Sequence, residues 1–498
     1  MLKTAYNGSM SRFIRKVQTA SGATAVQIIT KSGRERVALE HIGSAHTDED
    51  LSRLITLAKE RLNAGQLSLF PDETPPKITT EKTISHLLWE QLASVYSLLG
   101  FDEIGDEVFK QLVIARIIEP ASKLDTVRIL ENLGLDAPSN TGIHRCLARI
   151  IENDYRSQLA KTCFKQANVK RYSLVLYDVT TLYFEIQKED EFRKSGLSKE
   201  RRLEPQITVG LLVNEHGFPL EIASFEGNKA EVHTMIPVLE SFKAAHGLEN
   251  IVVVADAAML SSKNLETLEE LGYHYIVSSR IKKCPYEIEV FRQAEETECE
   301  DGQIFELKQS FTVNHKRVKR RVIYQYRAKR AKLDLSNIDK SLVKAEKMVS
   351  GATNIKRNRF VKLTGTKRSL NLELVESAKA RAGIKGYVTN LADDAQTIIN
   401  AYHQLFEVER SFRMSKSDLR ARPIFHHKRE SIEAHLTVVF AALAISRFIQ
   451  DKTEVSIRKF VKTLEPIRDS EILIDGKSYQ APATPPANIQ NLIRRLHE

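Results

Sequence analysis

Two apolar runs, each carrying an aspartate, constrain the fold of this chain more than any other feature. They are SLVLYDVTTLYFE, with Asp178, and NIVVVADAAML, with Asp256. Leu174 to Tyr177 and Ile251 to Val254 are continuous and rich in branched apolar residues, as central strands covered on both faces are. A carboxylate in such a strand costs several kcal/mol unless something compensates it. One compensation is a helix cap, because Ser261 and Ser262 follow Asp256 and mark a helix start. The other is a site that uses the charge.

A third acid supports the second alternative. In YHQLFEVERSFRMSKSDL, Tyr402, Glu409 and Lys416 recur every seven residues. On a helix at about 100° per residue this stacks a phenol, a carboxylate and an ammonium on one face, joined by Arg413. Leu405, Val408, Phe412 and Leu419 form an adjacent stripe suited to a core. A solvated charged face on an amphipathic helix produces the same pattern, but not two strand acids upstream of it.

The order of elements narrows the fold. After the Asp178 strand come two β-rich runs, 206–214 and 218–227, parted by the turn-like Glu215, His216 and Gly217. The period then changes: a helix over 231–246 stopped by Gly247, a strand over 251–256, a helix over 262–271 stopped by Gly272, and a strand over 274–279. Between Ser279 and GYVTNL at 386–391 lie two β-like runs, RVIYQY at 321–326 and RFVKLTG at 359–365, around the basic tract KRAKLDLSNIDKSLVKAEK. This stretch reads as an insertion.

The layout resembles a ribonuclease-H-like α/β fold, and the chain resembles the DDE transposases of bacterial insertion sequences whose catalytic helix is marked Tyr-x2-Arg-x3-Glu-x6-Lys. Tyr402, Glu409 and Lys416 match that signature, and Asp178 and Asp256 match the two aspartate motifs. Leu405 stands where the signature has Arg, with Arg410 and Arg413 nearby; the sequence leaves open whether either replaces it. The resemblance covers roughly residues 170–450. It implies that Asp178, Asp256 and Glu409 are catalytic and hold two Mg²⁺ ions, with Mn²⁺ able to substitute. It further implies that Tyr402, Arg410, Arg413 and Lys416 contact DNA. The chemistry agrees, since phosphodiester cleavage is served by paired hard cations held by carboxylates.

The function so implied is binding of terminal inverted repeats, metal-dependent strand cleavage and strand transfer by a cut-and-paste transposase. Its partners would be double-stranded DNA and a second copy in a synaptic complex, in the bacterial cytoplasm at the nucleoid. The alternatives are a catalytically inactive DNA-binding regulator of the same fold, or a ribonuclease-H-like nuclease.

Other site types fail. There is no Walker-type phosphate loop and no G-x-G-x-x-G after a strand. Cys146, Cys163, Cys284 and Cys299 form no Cys-x2-Cys pair, so a zinc ribbon is disfavoured and a reducing compartment suits them. His426, His427 and His435 border an apolar helix and read as packing or DNA-facing groups. The net charge of +10 favours a polyanionic partner without requiring one. The apolar run Val438–Ile445 falls short of a membrane span.

The organisation expected is an N-terminal β-rich region with a meander over 1–66, a linker over 67–83, and a helical domain over 84–168. That helical domain is either a reader of DNA ends or a scaffold or dimer arm. The catalytic domain would span 169–280 and 385–450, interrupted by the β-rich insertion 281–384, and a tail region would cover 451–498.

Overall fold

The computed structural model describes residues 10–33, 35–63, 78–168, 174–185, 188–196, 204–247, 251–257, 261–279, 281–294, 299–313, 316–354, 358–364, 367–422, 424, 426–474 and 477–498. The chain divides into two compact units, Met1–Ile78 with Ile474–Gly476, and Thr79–Leu473 with Lys477–Glu498. In the first, strands β1 (Met10–Gln18), β2 (Thr24–Ser32) and β3 (Glu35–Ala45) form an antiparallel meander. Helix α1 (Asp48–Asn63) covers it, closing a small core around Val26, Ile28 and Ala58.

The second unit begins within β4 (Ile78–Ile84), most of which falls in the stretch read as a linker; residues 67–77 of that stretch lie outside the described residues. Helices α2 (His86–Leu98), α3 (Glu107–Ile118), α4 (Lys123–Asn132), α5 (Asn140–Glu152) and α6 (Tyr155–Gln166) follow. Side-chain caps from Asp106, Ser122, Ser139 and Asp154 start the last four. Next come β5 (Leu174–Tyr183), β6 (Gln206–Asn214), β7 (Pro219–Glu226), α7 (Met235–His246), β8 (Val252–Ala255), α8 (Ser262–Glu270) and β9 (His274–Ser279).

The stretch 281–384 holds α9 (Tyr286–Ala294), β10 (Ile304–Val313), β11 (Lys316–Tyr326), α10 (Ala328–Val349), β12 (Val361–Thr364), β13 (Lys367–Leu370) and α11 (Leu372–Ala380). It is therefore mixed rather than β-rich. The basic tract forms a helix of 22 residues because Ala331, Ile338, Ala345 and Met348 recur on one buried side of it. Nor is the segment wholly separate: β11 pairs with β14 (Ile384–Thr389) and so extends the central sheet. Helices α12 (Ala395–His403), α13 (Phe406–Ser417), α14 (Arg429–Thr453) and α15 (Ile457–Leu464) follow. The region read as a tail is folded, with β15 (Asp469–Ile474), β16 (Lys477–Ala481) and α16 (Ala487–His497). Strands β16, β15 and β4 form a small sheet in that order.

The central mixed sheet has the order β10-β11-β14-β9-β8-β5-β6-β7. Neighbours are antiparallel except β5 with β8 and β8 with β9, which are parallel. Both faces are covered, which is why the central strands read as unbroken apolar runs. Val175, Tyr177, Val253 and Ala255 join one core with α7 and α8, while Leu176, Val252, Val254 and Ile276 join the other with α12, α13 and α14. Helix α14 is long and apolar enough to cross a membrane, but 89% of its apolar window is buried against the rest of the fold. It packs on α2, α3, α5, α6, α16 and β7 as a core helix.

At the β7 edge of the sheet, burial pushes the Glu221 carboxyl up to about 7 despite a hydrogen bond with Ser241 and the nearby Arg156 charge. The ordinary value is 4.5, so the folded state holds this proton more tightly than the unfolded one. Below pH ~4.5 both states are neutral and nothing is lost; stability then falls as pH rises through about 7. Glu221→Gln should thus match the wild type in urea denaturation at pH 4. At pH 8 it should exceed the wild type by at most on the order of 3 kcal/mol. Equal stability at pH 8 would refute this assignment.

Candidate active site

Asp178 sits within β5, and Asp256 follows the last residue of β8. The parallel register pairs Leu176 with Val254. Two residues further on, Asp178 and Asp256 stand at the same level and on the same face, one strand spacing apart, about 4.8 Å. That face is the one covered by α12, α13 and α14. Asp178 is half-buried and Asp256 exposed. The burial expected from the strand pattern is thus only partial at Asp178 and absent at Asp256: β8 stops at Ala255, so its aspartate emerges at the end of the strand. Asp256 Oδ1 accepts the Ala257 amide at 2.6 Å and the Tyr402 hydroxyl at 3.4 Å.

Helix α13 brings Glu409 to this face. Val408 and Phe412 bury its inner side, and Ser411 Oγ donates to the Gly217 carbonyl at 2.7 Å. Gly217 has φ +76°, and a Cβ there would meet Arg447 and the Glu407 carbonyl, so the β6–β7 turn needs a glycine to let α13 dock. Arg447 of α14 bonds Glu407 Oε2 at 2.8 Å and also the His216 carbonyl, and Arg410 bonds Glu407 Oε1 at 2.8 Å. Burial alone would raise the Glu407 carboxyl; the two guanidiniums outweigh it and hold it below its ordinary value.

A cleft of about 620 Å³ lies between β5 and α13, lined by Asp178, Thr180, Glu409, Arg413, Lys416 and Arg422. The structure thus brings together Asp178, Glu409, Arg413 and Lys416, with Asp256 one strand away. Two other expected DNA contacts lie elsewhere. A turn at Gln404–Leu405 interrupts the helix between α12 and α13, so Tyr402 is not on the Glu409 helix. Its ring is 5% exposed, packed edge-on to Tyr387 at 4.9 Å, and burial raises its hydroxyl above the ordinary range. It is a wall of the core that touches Asp256, with no face open for stacking on nucleotides. Arg410, held by Glu407, lines a different cavity with His216 and Arg447. Leu405 is buried in the core, and of Arg410 and Arg413 it is Arg413 that lines the cleft with Glu409.

One residue was missed. Lys385 of β14 feels both Asp256 and Glu409, and its ammonium lies 4.2 Å from the Tyr402 ring centroid. Burial, then Arg330, lowers its proton affinity, and the two acids partly restore it. The available signal was a lone cation in the apolar strand IKGYVT. His435 is a packing group: it is buried, its Nε2–H donates to the Ala421 carbonyl at 3.2 Å, and its ring lies 5.5 Å from that of His426. All four cysteines are buried free thiols. Among the described residues, no three His, Cys, Asp or Glu side chains come close enough to cage an ion.

A family model described as "Transposase DDE domain" matches residues 170–445, more than half of the 498. Solved structures similar to the chain include a piggyBac transposase synaptic complex with hairpin DNA, at 9% identity and TM-score 0.38, covering 84% of this chain and 77% of that one. They also include a Mos1 transposase paired-end complex with left transposon end, at 15% identity and TM-score 0.16, covering 46% and 67% respectively. No curated protein matches the chain.

The docking of α13 can be tested apart from chemistry. Arg447 is buried, and Glu407→Gln would leave its guanidinium without a counter-charge. We expect a loss of about 2–4 kcal/mol in denaturant unfolding. A change below roughly 0.5 kcal/mol, the level of a surface pair, would mean that the network does not anchor the helix.

Proposed function

The chain belongs to the DDE transposase family and is a DNA transposase, and we propose that it binds the terminal inverted repeats of an insertion sequence, cuts at them and transfers the freed strand, with Asp178, Asp256 and Glu409 as its acids. The observation that carries this reading is the common level and face of Asp178 and Asp256 on adjacent parallel strands, with Glu409 across the cleft. The strand order β7-β6-β5-β8-β9, with β8 and β9 parallel to β5, supports a ribonuclease-H-like core. We read residues 84–168 as the part that recognises DNA ends, 169–280 and 385–450 as the catalytic domain, and 281–384 as its insertion.

The donor set fits Mg²⁺. All three groups are carboxylates, two of them exposed. Mg²⁺ keeps several waters and takes substrate phosphate as a ligand, so it needs no closed protein cage. Asp178, Asp256 and Glu409 would hold such ions, which when bound would supply Lewis acidity at the scissile phosphate. The remaining work falls to side chains. Arg413, Lys416 and Arg422 line the cleft beside Glu409 and would bind phosphates next to the scissile bond. Lys385 offsets the repulsion between Asp256, Glu409 and an incoming polyanion. Tyr402 positions Asp256 through its hydroxyl. We further propose that the protein acts as a homodimer in a synaptic complex, in the bacterial cytoplasm at the nucleoid.

Two measurements test this reading on DNA carrying the repeats that flank the gene. Asp178→Asn, Asp256→Asn and Glu409→Gln should each abolish Mg²⁺-dependent cleavage while a gel shift shows binding intact. Wild-type cleavage by any one variant would remove that residue from the catalytic set. Binding by the wild type with no cleavage would favour an inactive regulator. Separately, Lys416→Ala should make the salt dependence of binding shallower by about one ion, whereas an unchanged slope would return Lys416 to a solvated helix face.

A further inference from the structure

A second cavity, of about 460 Å³, is walled by α10, by the turn from α11 into β14, and by the C-terminal end of β9. Four cations line it, Arg330, Arg359, Arg381 and Lys385, against one acid, Asp334. Asp334 offsets one of them: its Oδ2 lies 3.5 Å from Arg330 Nε and also accepts the Gly383 amide at 3.1 Å, which leaves an excess of three positive charges. Arg381 donates to the carbonyls of Ser377, Ile281 and Lys282 at 2.7–2.9 Å, neutral partners that leave its charge uncancelled. Arg359 is exposed and lies over the Phe360 ring at 4.5 Å. Four positive groups converge here with one negative group, and a concave surface of this sign favours an anion.

Its position says which anion. The parallel register pairs Val254 with Ile276, so Ser278 stands at the level of Asp256 just as Asp256 stands at the level of Asp178. Ser278 and Ser279 line the cavity, and so does Lys385, which also feels Asp256 and Glu409. The cavity therefore begins at the strand next to Asp256, on the side away from the Arg413 and Lys416 cleft. Asp178 to Ser278 spans two strand spacings, roughly 10 Å, or about three nucleotides at the axial rise of a DNA strand.

We propose that this cavity is a second phosphate subsite for the substrate DNA strand, so that the strand runs from the Arg413, Lys416 and Arg422 cleft across the acids to Arg330 and Arg359. The proposal rests on the transposase reading above and adds to it a role for the segment 328–384 in holding substrate. Pairing of α10 residues with DNA would couple that segment to cleavage chemistry through Lys385.

The test uses the full chain and a labelled duplex carrying the DNA that flanks the gene, with binding read by anisotropy over a salt series. Arg330→Ala with Arg359→Ala should weaken binding tenfold or more at low salt and reduce the salt slope by about two. Ethylation interference should lose its signal at a phosphate about three nucleotides from the cut. The corresponding Arg→Lys pair should restore most of the slope, and circular dichroism checks folding. If the double variant unfolds, Arg359→Ala alone, at an exposed position, should still reduce the slope by about one. A wild-type slope and interference pattern in the folded variants would overturn the subsite. So would loss of inorganic pyrophosphate binding with DNA binding unchanged, which marks a small-anion site. Asp178→Asn cleavage in the same experiment separates the two readings. A dead Asp178→Asn beside unaltered arginine variants sinks only the subsite, and an active Asp178→Asn sinks the transposase assignment of Asp178.

Discussion

The parallel register between β5 and β8 is the constraint on which the site depends. Leu174, Val175 and Leu176 pair with Val252, Val253 and Val254, and only in that register do Asp178 and Asp256 share a level and a face. Because side chains alternate with period two, a slip of one residue would send one carboxylate into the opposite core. The register is enforced by apolar packing rather than by the acids. Tyr177 and Val253 must face α7 and α8, and Leu176 and Val254 must face α12 to α14. Tyr177 is fixed further by a 2.9 Å bond from its hydroxyl to Thr234 Oγ1, with Gly210, diagonally across on β6, leaving room for the phenol. Burying two unlike faces thus aligns two charges, Asp178 within β5 and Asp256 just past the end of β8.

Bringing in Glu409 is a separate problem, because it arrives on a helix from much later in the chain. The solution runs through α14, which is buried along most of its length and therefore has one position available to it. Arg447 near its end fixes Glu407, and Arg156 of α6 fixes Glu433 near its start at 2.7 Å, while Ser224 of β7 donates to the same carboxylate at 2.6 Å. Removing either partner of such a pair leaves an uncompensated buried charge, so these contacts specify position more than they add stability. Helix α13 inherits its placement from α14 and from the β6–β7 turn.

Much of this was legible in the sequence, and the failures have identifiable causes. The strand aspartates stood out because charge interrupts a branched apolar run, and Glu409, Arg413 and Lys416 share a face because their spacing follows the helical period. The seven-residue spacing also places Tyr402 on that helix, whereas the structure puts it on α12. The break at Gln404–Leu405 keeps helical dihedrals and shortens to i to i+3 bonds, Leu405 to Tyr402 and Glu407 to Gln404, with no glycine or proline to mark it. Helix α10 was hidden by its lysines, since only four of its residues are fully buried. Lys385 acquires its meaning from β14 pairing beside β9, a tertiary fact with no local trace. The exposure of Asp256 likewise depends on where β8 ends, which hydrophobicity does not specify to the residue.

That exposure changes the electrostatic account of the site. Carboxylates in a dry strand would need internal counter-charges before the chain could fold, whereas acids at an open edge remain solvated and carry little of that cost. The difficulty moves to the encounter with DNA, since a row of carboxylates repels a polyanion. An excess of +10 spread over 498 residues does little about this at screening distances near 10 Å. Local placement does more: Arg413 and Lys416 come from α13, Arg422 from the segment after it, and Lys385 from β14. Cations drawn from separate elements thus surround the acids. The same fold that aligns the carboxylates therefore supplies the field in which a phosphate can approach them.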